Sequence, residues 1–378
     1  MRKIILDFVD SLLETSTPQF PAWNLEQTLK KAEPKWNYID GCMLKAIFDI
    51  YCATNEQKYF DFAKNYIDFY ILEDGNALLG FDESDYNCDN INMGKILFDL
   101  YRATNEKKYK NSIEILYSQL QKHPRTSTGN FWHKQIYPHQ IWLDGLYMVQ
   151  PFYTEYEMLF NNKKNYQDSF NQFKNVQNIM RDPISGLFYH GYDESREMFW
   201  ADKQTGLSPN FWTRSIGWYL MALVDTAEKL DEQLFYEYAT LQDYLKDAAD
   251  ALLKVRDFDT KLFFQVTNAG AKDGNYLETS GSCAIAYSLM KGARLGYLPS
   301  YYYDTGEEIF DAVVKYKLNP EKFVLNDICL VAGLGGMPGH GDYKLRDGTF
   351  EYYISEPKVQ NDAKGVAPFL FAHAEVLK

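Results

Sequence analysis

Cysteine is scarce: five residues (Cys42, Cys52, Cys88, Cys283 and Cys329) in 378, odd in number and without any C-x-x-C spacing. They read as reduced thiols, which fits a cytoplasmic protein. Positive charge is also short. Lys and Arg number 39 against 52 Asp and Glu, a formal net charge of −13, and no Lys/Arg run is long enough for a nucleic-acid patch. Such a surface repels polyanions, so nucleic acid and long acidic polymers are excluded as partners. A small anionic ligand stays admissible if Arg and His line its pocket. No apolar run is long enough to span a bilayer, so no membrane role is expected. The start, Met1 to Leu6, has the look of a signal peptide, but Asp7 and Asp10 interrupt the apolar run and no small-residue cleavage site follows. Ile4, Ile5, Phe8, Val9, Leu12 and Leu13 instead make one face of an amphipathic helix. The six histidines (His123, His133, His139, His190, His340 and His373) sit at no metal-ligand spacing. The glycine-rich stretch from Gly333 to Asp342 lacks a dinucleotide fingerprint and follows no βαβ unit. No metal or cofactor is expected, and that stretch reads as a flexible closing segment at the edge of a pocket.

What is abundant is aromatic: 30 Tyr, 25 Phe and 7 Trp, 16% of the chain. Much of this must be core, and such richness also suits a cleft that stacks the C–H faces of sugars. The first third carries an internal repeat. Phe48-Asp49-Ile50-Tyr51, Ala53-Thr54-Asn55-Glu56 and Lys58-Tyr59 return fifty residues later as Phe98-Asp99-Leu100-Tyr101, Ala103-Thr104-Asn105-Glu106 and Lys108-Tyr109. A period of that size marks a stacked supersecondary unit. Each unit reads as a helix, a short polar turn with Thr as N-cap, and a second helix. Weaker copies give six pairs, with first helices near 38, 90, 145, 212, 279 and 362, the last pairing with the N-terminal helix. Six hairpins whose terminal helices can pair with each other favour a closed double ring over an open solenoid. The expected fold is all-α, an (α/α)6 barrel forming one catalytic domain over residues 1–378. Short hairpin edges are expected at Gly186 to His190 and Lys261 to Gln265, and a turn followed by a short strand across Arg346 to Tyr353. Long loops (72–89, 122–141, 181–211, 256–278 and 318–361) join one pair to the next, the place for a site on a rigid ring.

Asp144 lies in Ile141-Trp142-Leu143-Asp144-Gly145-Leu146-Tyr147-Met148, with no basic neighbour in sequence. In such surroundings a carboxyl loses hydration, its pKa rises, and it can stay protonated as a proton donor. The alternative is an idle helix N-cap. Asp89 opens the second inner helix as Asp144 opens the third, so in a closed ring the two carboxylates converge, an apparatus suited to glycosidic chemistry. Arg214 sits between Trp212 and Trp218. It reads either as a ligand for a substrate carboxylate or hydroxyls flanked by stacking platforms, or as a structural Arg stacked on Trp and paired with an acid such as Asp202. His133 and His190 fall in the site-face loops as hydrogen-bonding residues, and His373 reads as a helix histidine.

Together these motifs resemble glycoside hydrolase family 105, the unsaturated rhamnogalacturonyl hydrolases, within the wider group of unsaturated glucuronyl hydrolases. The resemblance covers nearly the whole chain. It rests on Trp142 to Met148, Asp89 with Asn92 and Gly94, Trp212-Thr213-Arg214 with Gly217-Trp218, Arg346-Asp347-Gly348, Tyr352-Tyr353, Ser355-Glu356, and Asn361-Asp362 with Lys364-Gly365. It implies an enzyme that releases the terminal 4,5-unsaturated uronic acid from short oligosaccharides made by polysaccharide lyases. Asp144 would protonate C4 of the enol ether and then act as base toward water, and Asp89 would hold the sugar and keep Asp144 protonated. Tyr38, His133, Trp142, His190, Trp212, Arg214 and Trp218 would line the pocket. The competing functions are a sugar epimerase using His133 and His190 as acid and base, a conventional glycosidase on the same ring, and a helical-repeat scaffold that binds sugar without turnover.

Overall fold

The structure, a computed structural model, describes residues 2–336 and 344–378. His340 and most of the Gly333 to Asp342 segment lie outside the described residues. Fourteen helices are described. They are α1 (Arg2–Glu14), α2 (Leu25–Lys30), α3 (Tyr38–Thr54), α4 (Gln57–Tyr70), α5 (Lys95–Thr104), α6 (Lys107–Lys122) and α7 (Leu143–Leu159). There follow α8 (Tyr166–Ile179), α9 (Thr213–Lys229), α10 (Phe235–Leu253), α11 (Thr279–Arg294), α12 (Tyr301–Lys317), α13 (Phe350–Ser355) and α14 (Ala363–Leu377).

The inner positions are α3, the 3-10 segment Cys88–Gly94 that runs into α5, then α7, α9, α11 and α14; each packs on the next, and α14 returns to α3. Outside them α4, α6, α8, α10 and α12 pack on their sequence neighbours, and α1 pairs with α14. The ring is therefore closed by the two ends of the chain: an (α/α)6 barrel. Burial follows the layers. In α14 every residue from Ala363 to Glu375 is buried, as expected of a helix packed on both sides, whereas α6 buries mainly the stripe Tyr109, Ile113, Leu116, Tyr117 and Leu120.

The fifty-residue repeat has a physical cause in the outer layer. Tyr59 and Lys58 at the start of α4 reach Asp10 of α1, with the phenol donating at 3.1 Å and the amine 2.7 Å away. Tyr109 and Lys108 at the start of α6 make the same pair of contacts to Asp68 of α4, at 2.8 and 2.9 Å. One Lys-Tyr dipeptide thus docks α4 on α1 and another docks α6 on α4. The turn chemistry differs from expectation: Thr54 and Thr104 are the last helical residues, and Asn55 and Asn105 close the helices at φ 59° and 57°. Asn is tolerated in that left-handed conformation, which explains its recurrence.

Strands are short two-residue or three-residue pairs between helical hairpins. The Gly186 to His190 edge is one isolated bridge (Arg181 with Phe188), and the pairing strand lies just beyond it at Gly191–Asp193. Lys261 to Gln265 contributes one bridge, Phe264 with Leu277. The strand expected before Tyr353 is instead helix α13. Its cap explains this: Asp347 accepts from the Thr349 amide and Thr349 in turn accepts from the Tyr352 amide, starting a helix where a strand pattern was read.

Candidate active site

The N-terminal ends of the inner helices meet at one mouth of the barrel and surround a cavity of about 90 Å³. Its wall holds Asp144, Asp89, Tyr38, His133, Trp142, Trp212, Arg214 and Trp218, so every residue expected there but one is brought together. The exception is His190, which is fully buried and stands behind Asp144 rather than on the wall.

A local hairpin sets that arrangement. Gln140–Trp142 pairs antiparallel with Gly191–Asp193, Trp142 opposite Gly191. The Leu143 amide then donates to the His190 carbonyl at 3.1 Å, so the first turn of α7 and the His190 side chain are forced side by side. His190 Nε2 lies 3.3 Å from Asp144 Oδ2, and its Nδ1 lies 2.8 Å from the Tyr353 hydroxyl. Asp144 does not cap its own helix through Oδ2: that buried oxygen has no hydrogen bond of ordinary geometry. The sequence-based expectation for its charge is corrected. Burial raises the Asp144 carboxyl, but the His190 contact, with His133 and Arg214 nearby, outweighs it and holds the group below the ordinary aspartate value. Burial pushes His133 itself down to about 4, so it is neutral at pH 7 and His190 and Arg214 carry the effect. The absence of basic neighbours along the chain did not extend to neighbours in space.

Asp89 sits in the 3-10 segment, whose first turn is capped by Asn87. The Cys88 amide donates to the His133 carbonyl at 3.0 Å, and Asn87 bridges Lys134, so Lys134 arrives opposite Asp89, 2.6 Å from Oδ2. Its carboxylate is thus neutralised by a lysine that sequence reasoning passed over. Trp142 forms a flat stack with His133 and Tyr137, centroids 4.4 and 4.8 Å away, and Trp218 stacks on Tyr147 at 4.7 Å.

Arg214 shows the Trp stacking of its structural reading and also reaches the cavity wall that its ligand reading requires. It is buried, lies 4.6 Å over the Trp212 ring and donates to the Cys329 carbonyl and to Ser280 Oγ, yet it also borders the cavity. Asp202 is not its partner; that carboxylate accepts from Gln204 and Thr205. Lys364 and Arg346 complete the wall. Lys364 lies 3.0 Å from both Asp362 and Glu26, and Arg346 leans toward Glu356 at 3.9 Å. Both belong to motifs quoted above, but no sequence periodicity pointed them inward. With Lys134, Arg214, Arg346 and Lys364 against Asp89 and Asp144, the cavity is basic inside an acidic protein. Helix N-termini add to that positive potential. Among the described residues no group of three or more His, Cys, Asp or Glu side chains is placed to hold a metal ion.

The sequence model of glycosyl hydrolase family 88 matches residues 12–378. A solved glycoside hydrolase of family 105 from C. acetobutylicum ATCC 824 superposes with a TM-score of 0.89 at 40% identity, covering 99% of this chain and 98% of that one. This chain is a glycoside hydrolase of the family 88/105 group. Protein Atu3128 of Agrobacterium fabrum is 38% identical over 240 residues, 61% of this chain and 98% of that protein. The unsaturated rhamnogalacturonyl hydrolase YesR of Bacillus subtilis is 25% identical over 284 residues, 74% of this chain and 76% of YesR. Membership in a hydrolase family favours glycoside hydrolysis over epimerisation or passive sugar binding. The buried, neutral His133 and the recessed His190 agree with that.

Proposed function

We propose that this glycoside hydrolase releases the terminal 4,5-unsaturated uronic acid from short oligosaccharides left by polysaccharide lyases, with unsaturated galacturonyl-rhamnose the preferred substrate. The observation that carries this reading is Asp144: a carboxylate at the wall of a basic, aromatic cavity, backed by an imidazole, while the second wall carboxylate, Asp89, is paired with Lys134. The similarity to YesR supports the choice of sugar. Residues 1–378 act as one catalytic barrel, and its net negative exterior suits short products taken into the cytoplasm rather than the polymer.

The chemistry follows from the enol ether. A proton from Asp144 adds to C4, and the positive charge is shared between C5 and the ring oxygen. Water bonds to C5 and gives a proton back to the Asp144 carboxylate. The resulting C5 hemiketal opens by breaking its bond to the ring oxygen, which remains on C1 as a hydroxyl, and C1 then expels the next sugar as an alcohol. The glycosidic bond is lost without direct attack on it. Arg214, Lys134, Lys364 and Arg346 attract the uronate, and Trp142, Trp212 and Trp218 offer faces to the ring.

Against burial, the His190 contact and nearby Arg214 favour the ionised form of Asp144, so it is the bound substrate that must bring the carboxyl to its protonated form. A bound uronate adds a negative charge beside Asp144 and displaces water, and both effects raise the carboxyl pKa. Asp89 acts in the same direction once the sugar engages Lys134. The test is the ultraviolet absorbance of the C4=C5 bond. Wild-type protein abolishes it on unsaturated galacturonyl-rhamnose, and Asp144→Asn loses turnover by ~10³-fold or more while still binding. Persistence of the signal on both galacturonyl and glucuronyl substrates refutes the activity, and turnover by the Asn variant moves the acid elsewhere.

A further inference from the structure

His190 is held more tightly than its distance from the cavity requires. Its ring is fully buried between Trp212, Trp142 and Tyr353, with centroids 4.8, 5.5 and 6.0 Å away. Tyr353 is likewise fully buried, on α13. Gln265 fixes the two flanking rings: its Oε1 accepts from the Trp212 indole at 3.0 Å, and its Nε2 donates to the Tyr353 carbonyl at 3.2 Å. The result is one line of contacts, Tyr353 hydroxyl to His190 Nδ1 at 2.8 Å and His190 Nε2 to Asp144 Oδ2 at 3.3 Å.

We propose that Tyr353 is a positioning residue: its hydroxyl donates to His190 Nδ1, which places the imidazole proton on Nε2 facing Asp144 Oδ2 and leaves Oδ1 to exchange the catalytic proton with substrate. The assignment follows from donor and acceptor roles. A neutral imidazole has one N–H and one lone pair. Tyr353 keeps its proton, because burial and the nearby Tyr352 and Asp144 charges push the phenol well above its ordinary value. A protonated phenol can donate to Nδ1, and with that donation the ring hydrogen is on Nε2, facing a carboxylate oxygen that has no hydrogen bond of ordinary geometry elsewhere. The opposite tautomer would set the Nε2 lone pair against that carboxylate, with nothing between them.

The other titratable groups facing this line are Arg214 and His133 beside Asp144, and Tyr352, Cys329 and Asp347 beside Tyr353. His190 Nδ1 faces the Tyr353 hydroxyl and Nε2 faces Asp144, so these two groups together set the tautomer. The same contact serves both steps of the reaction. Nε2–H stabilises the Asp144 carboxylate after it has given up its proton, and it pins the side chain so that one oxygen faces C4.

The proposal rests on the reading that Asp144 is the proton donor, but its first test needs no substrate. Histidine-labelled protein, with His190 assigned by difference against His190→Gln, shows by nitrogen-15 chemical shift whether Nδ1 or Nε2 carries hydrogen. The expected result is Nε2–H in the wild type and a mixture in Tyr353→Phe. The second test is the pH profile. Loss of the Nε2–H donor raises the Asp144 pKa, so the alkaline limb of kcat in Tyr353→Phe moves up by about one pH unit, while kcat falls ~10- to 100-fold with KM changed less than threefold. Nδ1–H in the wild type overturns the proposal, and so does a Tyr353→Phe variant with unchanged tautomer and profile. If no unsaturated substrate is turned over at all, the function proposed above fails, while the tautomer result stands or falls by itself.

Discussion

Glu278 has the most to lose from a single-atom change. It is fully buried ahead of α11 and accepts on both oxygens: Oε1 from the Ser280 amide at 3.1 Å and the Cys329 amide at 3.0 Å, Oε2 from the Gly281 amide at 2.7 Å. The Ser280 hydroxyl donates to it as well and accepts from Arg214, which also donates to the Cys329 carbonyl. One carboxylate therefore caps α11, clamps Cys329 and anchors a cation of the cavity. Because backbone amides point at both oxygens, Glu278→Gln is not conservative. Whichever way the amide is turned, its NH₂ faces an N–H. In the better orientation only the Gly281 contact is lost, and one charge-assisted bond with an orphaned donor costs about 2–3 kcal/mol. Glu278→Ala loses the cap and strands the Cys329 amide as well, about 4 kcal/mol.

At roughly 2.1 cal/mol/K per residue, those losses lower the melting temperature of a chain this long by about 3 °C for Gln and about 5 °C for Ala. Calorimetry, checked by urea unfolding, reads the shift, and KM for the unsaturated substrate reads the displacement of Arg214. KM should rise several-fold in both variants with kcat less affected. A Gln variant that melts within about 1 °C of wild type refutes the reasoning, because it would mean that Glu278 is protonated or that the amides are satisfied elsewhere.

Other consequences can be measured independently. Lys95 is buried, its amine has no hydrogen-bond partner and lies 3.2 Å over the Tyr147 ring, and burial pushes it down to about 7. The unfolded chain binds that proton up to its ordinary lysine value, so folding stability rises with pH between about 7 and 10; Lys95→Met should add ~2 kcal/mol at pH 7 and flatten that slope in urea unfolding. Gly41 leaves no room for a side chain, since a Cβ there would stand 2.6 Å from the Met93 backbone; Gly41→Ala should cost about 1–3 kcal/mol and raise KM by shifting the Asp89 turn. His123 and His133 are both pushed down to about 4 by burial. Each is neutral when folded and protonated earlier when unfolded, so stability should fall as pH drops from about 6.5 to 4, a loss that His123→Gln should partly remove.

The ring was legible because its signals are local and repeated. The Lys-Tyr dipeptides at 58–59 and 108–109 recur for the docking contact they make, and the order of helical pairs decides closure once α1 can reach α14. What failed was local in another way. Arg346 to Tyr353 alternates like a strand, but Asp347 and Thr349 cap a helix there, and side-chain capping outranks a short alternating pattern. At the site, the residues on one wall were legible where they start an inner helix, as Asp144 and Arg214 do. Lys134 was not, since nothing in its own segment shows that Asn87 will bridge it and bring its amine onto Asp89.

The charge of Asp144 shows why reading a pocket from one segment fails in a specific direction. Trp142, Leu143, Leu146 and Met148 are the carboxylate's neighbours along the chain, and they argue for a protonated acid. Its neighbours across the ring are His190, delivered by the Gly191–Asp193 strand, and Arg214 at the start of α9, and they argue for an ion. The second set wins because opposite charge and an N–H donor act directly on the ionised form, while desolvation is only partial in a group with 15% of its side chain exposed. The proposed uronate substrate would reverse both terms at once, since it would exclude the water and bring a carboxylate of its own. On the function proposed above, a cavity arranged this way would draw the anionic sugar in as a cation-rich site and become an acid once that sugar is in place.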